Sequence, residues 1–241
     1  MFLHAGITDR TMWQPQVAAF SEPFRCTTPD IRGFGDTPVG SEPFSRRDDL
    51  AAVIDAVGAT TAAIVGCSVG AGLALDFAIE RPERVDKLAL IGVTPAGFDG
   101  PDDAFLEKTW LDVDAAIERG DYEEAGRLEA RAWIDRPRRA EGSAPQWLRD
   151  QVIEWSLPIN RVDYWGDSQQ LDPPAMHRLN EVAAPTVVIV GTEDADVIIA
   201  GCRATAAGIA GAELVELTGT AHLPNLEVTD QFNAALDSFL S

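Results

Sequence analysis

A pentapeptide of the form G-x-S-x-G, Gly66-Cys67-Ser68-Val69-Gly70, separates an apolar run from a segment rich in alanine and leucine. The apolar run over 62–65 predicts a strand, and the segment from 71 predicts a helix that ends before Pro82. A chain that turns sharply from a strand into a helix needs residues without bulk, and the two outer glycines meet that need. The Ser68 hydroxyl would then lie at the positive end of a helix, where a developing negative charge is stabilised. The pattern is typical of a serine nucleophile, although short glycine-rich connections also produce it by chance.

A serine nucleophile needs a base and an acid, which in this arrangement follow it in the order Ser, then Asp or Glu, then His. The apolar run over 186–190 predicts a strand, and Asp194 follows it at the strand end where α/β sheets bind ligands. A second predicted strand over 214–217 is followed by a loop that carries His222. We therefore expect Ser68, Asp194 and His222 to form a catalytic triad. Two neighbouring carboxylates remain alternative acids, Glu193 and Asp196.

A catalytic serine of this kind also needs an oxyanion hole, which two backbone N–H groups form. One comes from the residue after the nucleophile, Val69. The turn His4-Ala5-Gly6 can supply the other, because Gly6 lets the backbone approach a reacting carbonyl. An ordinary tight turn would also account for Gly6, and for His4 we expect the role of a hydrogen-bonded loop residue.

Together these motifs resemble the α/β-hydrolase superfamily, in particular small cofactor-free esterases and 3-oxoadipate enol-lactonase-like hydrolases. The resemblance rests on five ordered blocks: residues 3–6, residues 30–36, the pentapeptide around Ser68, residues 191–194 and residues 219–222. It implies an α/β-hydrolase fold, with a mainly parallel sheet flanked by helices and an inserted helical cap. It also implies a cofactor-free serine hydrolase that cleaves a carboxylic ester or lactone through an acyl-enzyme. C–C bond hydrolysis with the same triad and a non-catalytic ligand-binding homologue remain open, because one fold hosts many functions.

Two features depart from the pattern of that family. Ala5 stands where the family usually has glycine, so Ile7 could replace Gly6 as the oxyanion donor. The strand hairpin that usually opens the family has no counterpart, since the chain begins with Met1 almost inside a predicted central strand. A strand around 25–27 would then lie at an unprotected sheet edge. We therefore hypothesise that the native start lies upstream of Met1; equal solubility and stability of an N-terminally extended form would contradict this.

The order of predicted elements divides the chain into three parts. Strands and helices alternate over 1–98 and again over 181–241, which we assign to the first and second parts of the hydrolase core. Charged helical segments, such as 113–119 and 121–134, occupy residues 99–180, which we assign to the cap. We expect the cap to cover an apolar pocket above Ser68, because it holds five of the six tryptophans: Trp110, Trp133, Trp147, Trp155 and Trp165. Among them, Trp133 is the candidate for substrate binding.

The composition restricts the partners of this chain. A formal net charge of -20 opposes binding to nucleic acid and to anionic membranes, so we expect a small-molecule ester or lactone as partner and leave a homo-oligomer open. The three cysteines, Cys26, Cys67 and Cys202, form no C-x-x-C pair, which predicts reduced thiols in a cytoplasmic protein and no structural metal. The apolar stretch over 61–79 is interrupted by glycines and Asp76, so a strand-turn-helix unit explains it better than a membrane span.

Overall fold

The computed structural model describes residues 1–135, 139–140, 142–162 and 166–241 of the chain. Within them, five parallel strands form one sheet, and their order across the sheet follows their order in the sequence. These strands are β1 (Phe2–Leu3), β2 (Ala62–Cys67), β3 (Val85–Ile91), β4 (Thr186–Gly191) and β5 (Glu213–Leu217). The predicted parallel sheet flanked by helices is confirmed.

The parallel arrangement positions the functional loops. Because all five strands point the same way, the C-terminal ends of β2, β3, β4 and β5 lie at one edge of the sheet. Each residue of β4 is buried, as expected of a central strand covered on both faces by helices. The outermost strand β5 instead carries exposed glutamates, Glu213 and Glu216, and charges on an edge strand discourage pairing with another chain.

Helices cover both faces of the sheet. Six of them belong to the two core segments: α1 (Gln14–Phe20), α2 (Arg46–Ala56), α3 (Val69–Glu80), α7 (Asp196–Gly208), α8 (Pro224–Glu227) and α9 (Thr229–Leu240). The hydroxyl oxygen of Ser45 accepts a hydrogen bond of 3.2 Å from the Asp48 N–H, so this serine caps the start of α2. Helix α3 begins directly after Ser68 and ends before Pro82, as the sequence pattern predicts.

In the described part of the chain, three further helices lie between β3 and β4, within the residues that the sequence assigns to the cap: α4 (Ala104–Glu118), α5 (Tyr122–Ala130) and α6 (Gln146–Ile159). Gly120, with a φ of 74°, lies in the turn between α4 and α5. The predicted helix over 121–134 is only partly correct, because a π-helical turn, Arg131–Asp135, replaces its last part. A carboxylate caps each of the first two helices, Asp103 on α4 and Asp121 on α5. The division into core residues 1–98, cap residues 99–180 and core residues 181–241 stays a prediction.

The segment 25–27 runs beside β1 but does not form the predicted strand. Its contact with β1 is one backbone hydrogen bond of 2.9 Å, from the Phe2 N–H to the Thr27 carbonyl. The expectation of an edge strand here is wrong, and the reason is geometric. A strand only two residues long offers too few N–H and C=O groups for a ladder on that side.

The apolar core has two layers, one on each side of the sheet. Neighbouring residues of β2 belong to different layers, with Ile64 in one and Val65 in the other, since successive side chains of a strand point to opposite faces. The first layer packs against α2, α3 and α7. The second contains Trp13 and Phe232, whose ring centroids lie 6.3 Å apart, and it extends into the cap through α6. The described part of the chain contains no helix long and apolar enough to cross a bilayer.

The three cysteines are free thiols. Cys67 and Cys202 are buried, and burial raises the pKa of both thiols. Cys67 neighbours Ser68 in sequence, but its side chain packs in the core layer opposite α3. It therefore has the role of a small buried apolar residue.

Candidate active site

Ser68 has a backbone conformation that residues with a side chain rarely adopt. Its φ is 51° and its ψ is -112°, and it is the one non-glycine residue with positive φ in the described part of the chain. Such a conformation costs about 1–3 kcal/mol and persists only where the surroundings enforce it. Here the Ser68 N–H donates to the Ile91 carbonyl at 2.8 Å, and the Ser68 carbonyl accepts from Gly72 at 2.9 Å. These two hydrogen bonds hold Ser68 in its strained conformation, which places the hydroxyl at the junction of β2 and α3.

The two glycines beside Ser68 are required by close backbone packing. A Cβ atom on Gly66 would lie 2.3 Å from the Gly70 carbonyl oxygen. A Cβ atom on Gly70 would lie 2.4 Å from the Leu3 carbonyl oxygen, in the neighbouring strand β1. Both distances are far inside van der Waals contact, so the sharp turn and the close approach of α3 to the sheet exclude any side chain at these positions.

Asp194 and His222 form a buried hydrogen-bonded pair at the same edge of the sheet. The His222 Nδ1 atom lies 2.8 Å from the Asp194 Oδ2 atom, and each residue is 1% exposed. The other carboxylate oxygen, Oδ1, accepts a hydrogen bond of 2.7 Å from the Ala195 N–H. Because an ionised carboxylate only accepts hydrogen bonds, Nδ1 carries the proton and Nε2 of a neutral His222 is free to act as a base. Of the three candidate acids, Asp194 is the one bonded to His222 Nδ1.

The cap holds the imidazole from the other side. The Trp133 ring stacks on the His222 ring with centroids 4.4 Å apart and an interplanar angle of 30°. The Trp133 carbonyl also accepts a hydrogen bond of 3.2 Å from the His222 backbone N–H. On the core side, a Cβ atom on Gly92 would lie 3.1 Å from His222 Cε1. The candidate base is thus enclosed by Asp194, Trp133 and Gly92.

The structure brings the predicted oxyanion donors close together. A Cβ atom on Gly6 would lie 2.8 Å from Val69 Cγ2, and the Gly70 N–H donates to the His4 carbonyl at 3.1 Å, which ties the loop to the start of α3. Among the described residues, the N–H groups of Gly6, Ile7 and Val69 donate to no protein acceptor. These amides are therefore free for a ligand, and both sequence-level candidates for the second donor, Gly6 and Ile7, remain.

His4 shapes this loop. Its Nδ1 atom lies 2.8 Å from the Ala5 carbonyl oxygen and acts as donor, while Nε2 accepts from the Ile31 N–H at 3.0 Å. These two bonds identify the neutral tautomer with its proton on Nδ1, and burial lowers the pKa of the imidazole. His4 is thus a hydrogen-bonded loop residue, as expected from the sequence. Arg32 is likewise structural, since its fork binds both oxygens of Asp49 at 2.7 and 2.5 Å.

Two cavities meet at Ser68. The smaller, of about 150 Å³, has walls from both core and cap, formed by Gly6, Ile7, Ser68, Val69, Trp110, Glu129, Trp133 and His222. The second, of about 290 Å³, is also lined by Ser68 and includes Arg46, Arg47 and Asp76. Three larger cavities, of about 400, 520 and 690 Å³, are lined by none of Ser68, Asp194 and His222. Ser68 therefore borders two separate small cavities.

Two carboxyl groups of these cavities were missed at the level of sequence. Asp76 lies on α3, and burial raises its pKa to about 6, with the nearby Arg47 opposing the shift and Glu80 adding to it. Glu129 lies at the end of α5, four residues before Trp133 in sequence. Helical spacing places such residues on one face, so the pair Glu129 and Trp133 was a signal that sequence reasoning could have used.

The remaining cap tryptophans differ in their surroundings. Trp110 lines the smaller cavity and is 39% exposed. Trp155 Nε1 donates to the Thr11 hydroxyl at 2.9 Å, which joins the cap to the core. Trp147 is 54% exposed and lines neither of the two cavities at Ser68. Trp165 lies outside the described residues. Of the five tryptophans expected above the pocket, Trp110 and Trp133 therefore line the cavity at Ser68.

No group of three or more His, Cys, Asp or Glu side chains in the described ranges could hold a metal ion.

Comparison with known proteins identifies the family. The model of the alpha/beta hydrolase family matches residues 1–235. Carboxylesterase YbfK of Bacillus subtilis is 33% identical over 100 residues, a match that spans 40% of this chain and about a third (34%) of that protein. The putative carbamate hydrolase RutD of Klebsiella pneumoniae is 26% identical over 248 residues, covering 95% of this chain and 86% of that protein.

Solved structures show the same architecture. The enol-lactonase from Burkholderia xenovorans superimposes with a TM-score of 0.79 and 23% identity, and the match covers 99% of this chain and 89% of that one. An esterase from Thermogutta terrifontis superimposes with a TM-score of 0.78 and 22% identity, over 99% and 88% of the two chains. At this identity the likeness concerns the fold. The family model, however, extends over nearly the whole sequence, so the chain belongs to the alpha/beta hydrolase family and is a hydrolase, as its motifs predicted.

Proposed function

We propose that this protein hydrolyses a carboxylic ester or a lactone through an acyl-enzyme on Ser68. The observation that carries the proposal is the buried 2.8 Å bond between His222 Nδ1 and Asp194, beside the strained Ser68 in one cavity. This bond leaves Nε2 as the proton acceptor, which is what a serine nucleophile needs. A carboxylesterase and an enol-lactonase among the similar proteins support the same reaction class.

The geometry suggests the following steps. The Ser68 hydroxyl oxygen attacks the carbonyl carbon while its proton moves to His222 Nε2, and Asp194 stabilises the imidazolium. The negative oxygen of the tetrahedral intermediate accepts hydrogen bonds from Val69 and from Gly6. The imidazolium then protonates the leaving alkoxide, and the C–O bond breaks. In a lactone this hydroxyl stays attached to the acyl group. A water molecule activated by His222 finally releases the acid and restores Ser68.

The test combines covalent labelling with turnover. Intact-protein mass spectrometry after treatment with a fluorophosphonate should show one adduct, which peptide mapping locates at Ser68. Hydrolysis of p-nitrophenyl acetate should fall by about three or more orders of magnitude in Ser68→Ala. The exposed Ser143 offers a matched control, since Ser143→Ala should keep both the label and the turnover. Labelling of folded protein elsewhere than Ser68 would contradict the proposal.

C–C bond hydrolysis is the second candidate. A 2-hydroxymuconate semialdehyde hydrolase of Pseudomonas putida is 39% identical over 94 residues, covering 37% of this chain and 33% of that protein. The same triad can serve either reaction. Cleavage of a vinylogous diketone with a kcat/KM above that of every ester and lactone tested would favour this candidate.

The free thiols and the net charge support the accompanying proposals of a cytoplasmic location and a small-molecule partner. Apart from water, the proposed reaction uses only residues of the chain.

A further inference from the structure

The cap contributes a buried carboxyl group to the cavity at Ser68. Glu129 is 7% exposed and lines this cavity together with Ser68, Trp133 and His222. Apart from Ser68 and His222, the residues around it are apolar or aromatic: Gly6, Ile7, Val69, Trp110 and Trp133. Burying a carboxyl group in such surroundings costs free energy unless the group forms hydrogen bonds, because its charged form loses its hydration.

The protein satisfies only part of this carboxyl group. The Asn160 Nδ2 atom donates to Glu129 Oε2 at 2.9 Å. Among the described residues, the bond from Asn160 is the one hydrogen bond of normal geometry that Glu129 accepts, and no arginine or lysine in the same ranges forms an ion pair with it. The Ser156 hydroxyl lies nearby, is buried, and makes no hydrogen bond of normal geometry within the described chain. Burial raises the pKa of Glu129, and Asn160 and Ser156 partly oppose that effect.

The catalytic steps proposed above do not involve the Glu129 carboxyl group. His222 is already oriented by Asp194, and proton transfer needs no second carboxyl group. A residue that only anchored α5 to α6 through Asn160 would need one acceptor atom and no access to the cavity. Glu129 instead lines the cavity that Ser68 and His222 share, so its remaining oxygen is available to a substrate.

We propose that Glu129 determines specificity by accepting a hydrogen bond from a donor on the substrate, either an ammonium or a hydroxyl group. This inference rests on the proposed ester or lactone hydrolysis at Ser68. The cavity is small, about 150 Å³, so the donor lies on a short substituent of the substrate.

Matched substrates test this directly. In the acyl series, p-nitrophenyl butanoate is compared with the 3-aminopropanoate and 3-hydroxypropanoate esters, in which an ammonium or a hydroxyl group replaces the terminal methyl group. In the alcohol series, butyl acetate is compared with 3-hydroxypropyl acetate. The readout is the ratio of kcat/KM for the donor-bearing ester to that for its apolar partner. The variants are Glu129→Gln, which keeps an acceptor without charge, and Glu129→Met, which removes the acceptor.

In at least one series, the wild-type protein should prefer the donor-bearing ester. A hydrogen bond to a charged group corresponds to a preference of about 10- to 100-fold for the ammonium ester, and a neutral bond to about 2- to 10-fold for the hydroxyl ester. Glu129→Gln should abolish the ammonium preference and keep the hydroxyl preference, whereas Glu129→Met should abolish both. The control Glu123→Gln, on an exposed carboxylate of the same helix, should leave the ratios unchanged.

Ratios below one in both series of the wild-type protein, or equal ratios in wild type and both variants, would overturn the assignment. If neither variant folds, the wild-type protein alone still tests the assignment, because kcat/KM ratios below one in both series would overturn it. Fluorophosphonate labelling of Ser68 and turnover of p-nitrophenyl acetate do not depend on a donor group. Their loss would therefore indicate failure of the proposed function, and their persistence with altered ratios would isolate the role of Glu129.

Discussion

Replacing Asp194 by asparagine changes one atom of the carboxyl group and, with it, the protonation of the neighbouring imidazole. In the wild-type protein, Oδ1 accepts from the Ala195 N–H at 2.7 Å and Oδ2 accepts from His222 Nδ1 at 2.8 Å. The asparagine oxygen must keep the first bond, because the Ala195 N–H can only donate. The amide NH₂ group then faces Nδ1 and donates to it, which moves the imidazole proton to Nε2. His222 can no longer accept the serine proton.

The expected loss is large. The same substitution in the well-studied serine protease triad leaves the geometry intact and lowers kcat by about 10⁴-fold, which corresponds to about 5.4 kcal/mol. We expect a loss of this order here for p-nitrophenyl acetate, since Asp194 and His222 are buried here too. Stability should change little, because both hydrogen bonds persist and a buried charge is removed.

Steady-state kinetics and fluorophosphonate labelling rates measure the effect, and urea denaturation verifies the fold. The control variants are Glu193→Gln and Asp196→Asn, which replace the two alternative acids near the end of β4. Both should keep turnover within about tenfold of wild type. Turnover of Asp194→Asn within that range, or a loss of about 10⁴-fold in either control, would refute the assignment of Asp194 as the acid that orients His222.

Three further predictions follow from the packing and charge of this region. Gly70→Ala should prevent soluble folding or lower the Tm sharply, because its Cβ would lie 2.4 Å from the Leu3 carbonyl oxygen; Gly72→Ala on the same helix meets nothing within 4 Å and should raise the free energy of unfolding by about 0.5–1 kcal/mol in urea. Ser68→Gly should be about 1 kcal/mol more stable than Ser68→Ala, since glycine relieves a φ of 51°, and equal stabilities would show that the turn is unstrained. Burial raises the pKa of Asp76 to about 6 in the folded state, so its ionisation lowers stability as pH rises from about 4 to 6. Asp76→Asn should therefore gain up to about 3 kcal/mol over wild type at pH 7 and nothing below pH 4, and a gain independent of pH would contradict this.

The strands and the turn at Ser68 could be predicted because their signals are local. The buried strands β2 and β4 are apolar almost throughout, and β3 is apolar over its buried second half, residues 88–91, which the sequence shows directly. The glycines around Ser68 report a backbone constraint that no other residue satisfies. The edge segment 25–27 was misjudged for the opposite reason, since strand formation there depends on its partner, and β1 is too short to provide a ladder.

Sequence by itself determined the order of the elements, the family and a short set of reactive side chains, because backbone propensity and strand ends follow from neighbouring residues. Tertiary structure decided which groups meet. Asp194 and His222 are 28 positions apart, and their 2.8 Å bond exists because β4 and β5 are adjacent in the sheet. The stacking of Trp133 on His222 and the partly satisfied carboxyl group of Glu129 arise only when the cap packs on the core. Contacts between distant segments depend on how whole layers pack, and no local pattern encodes them.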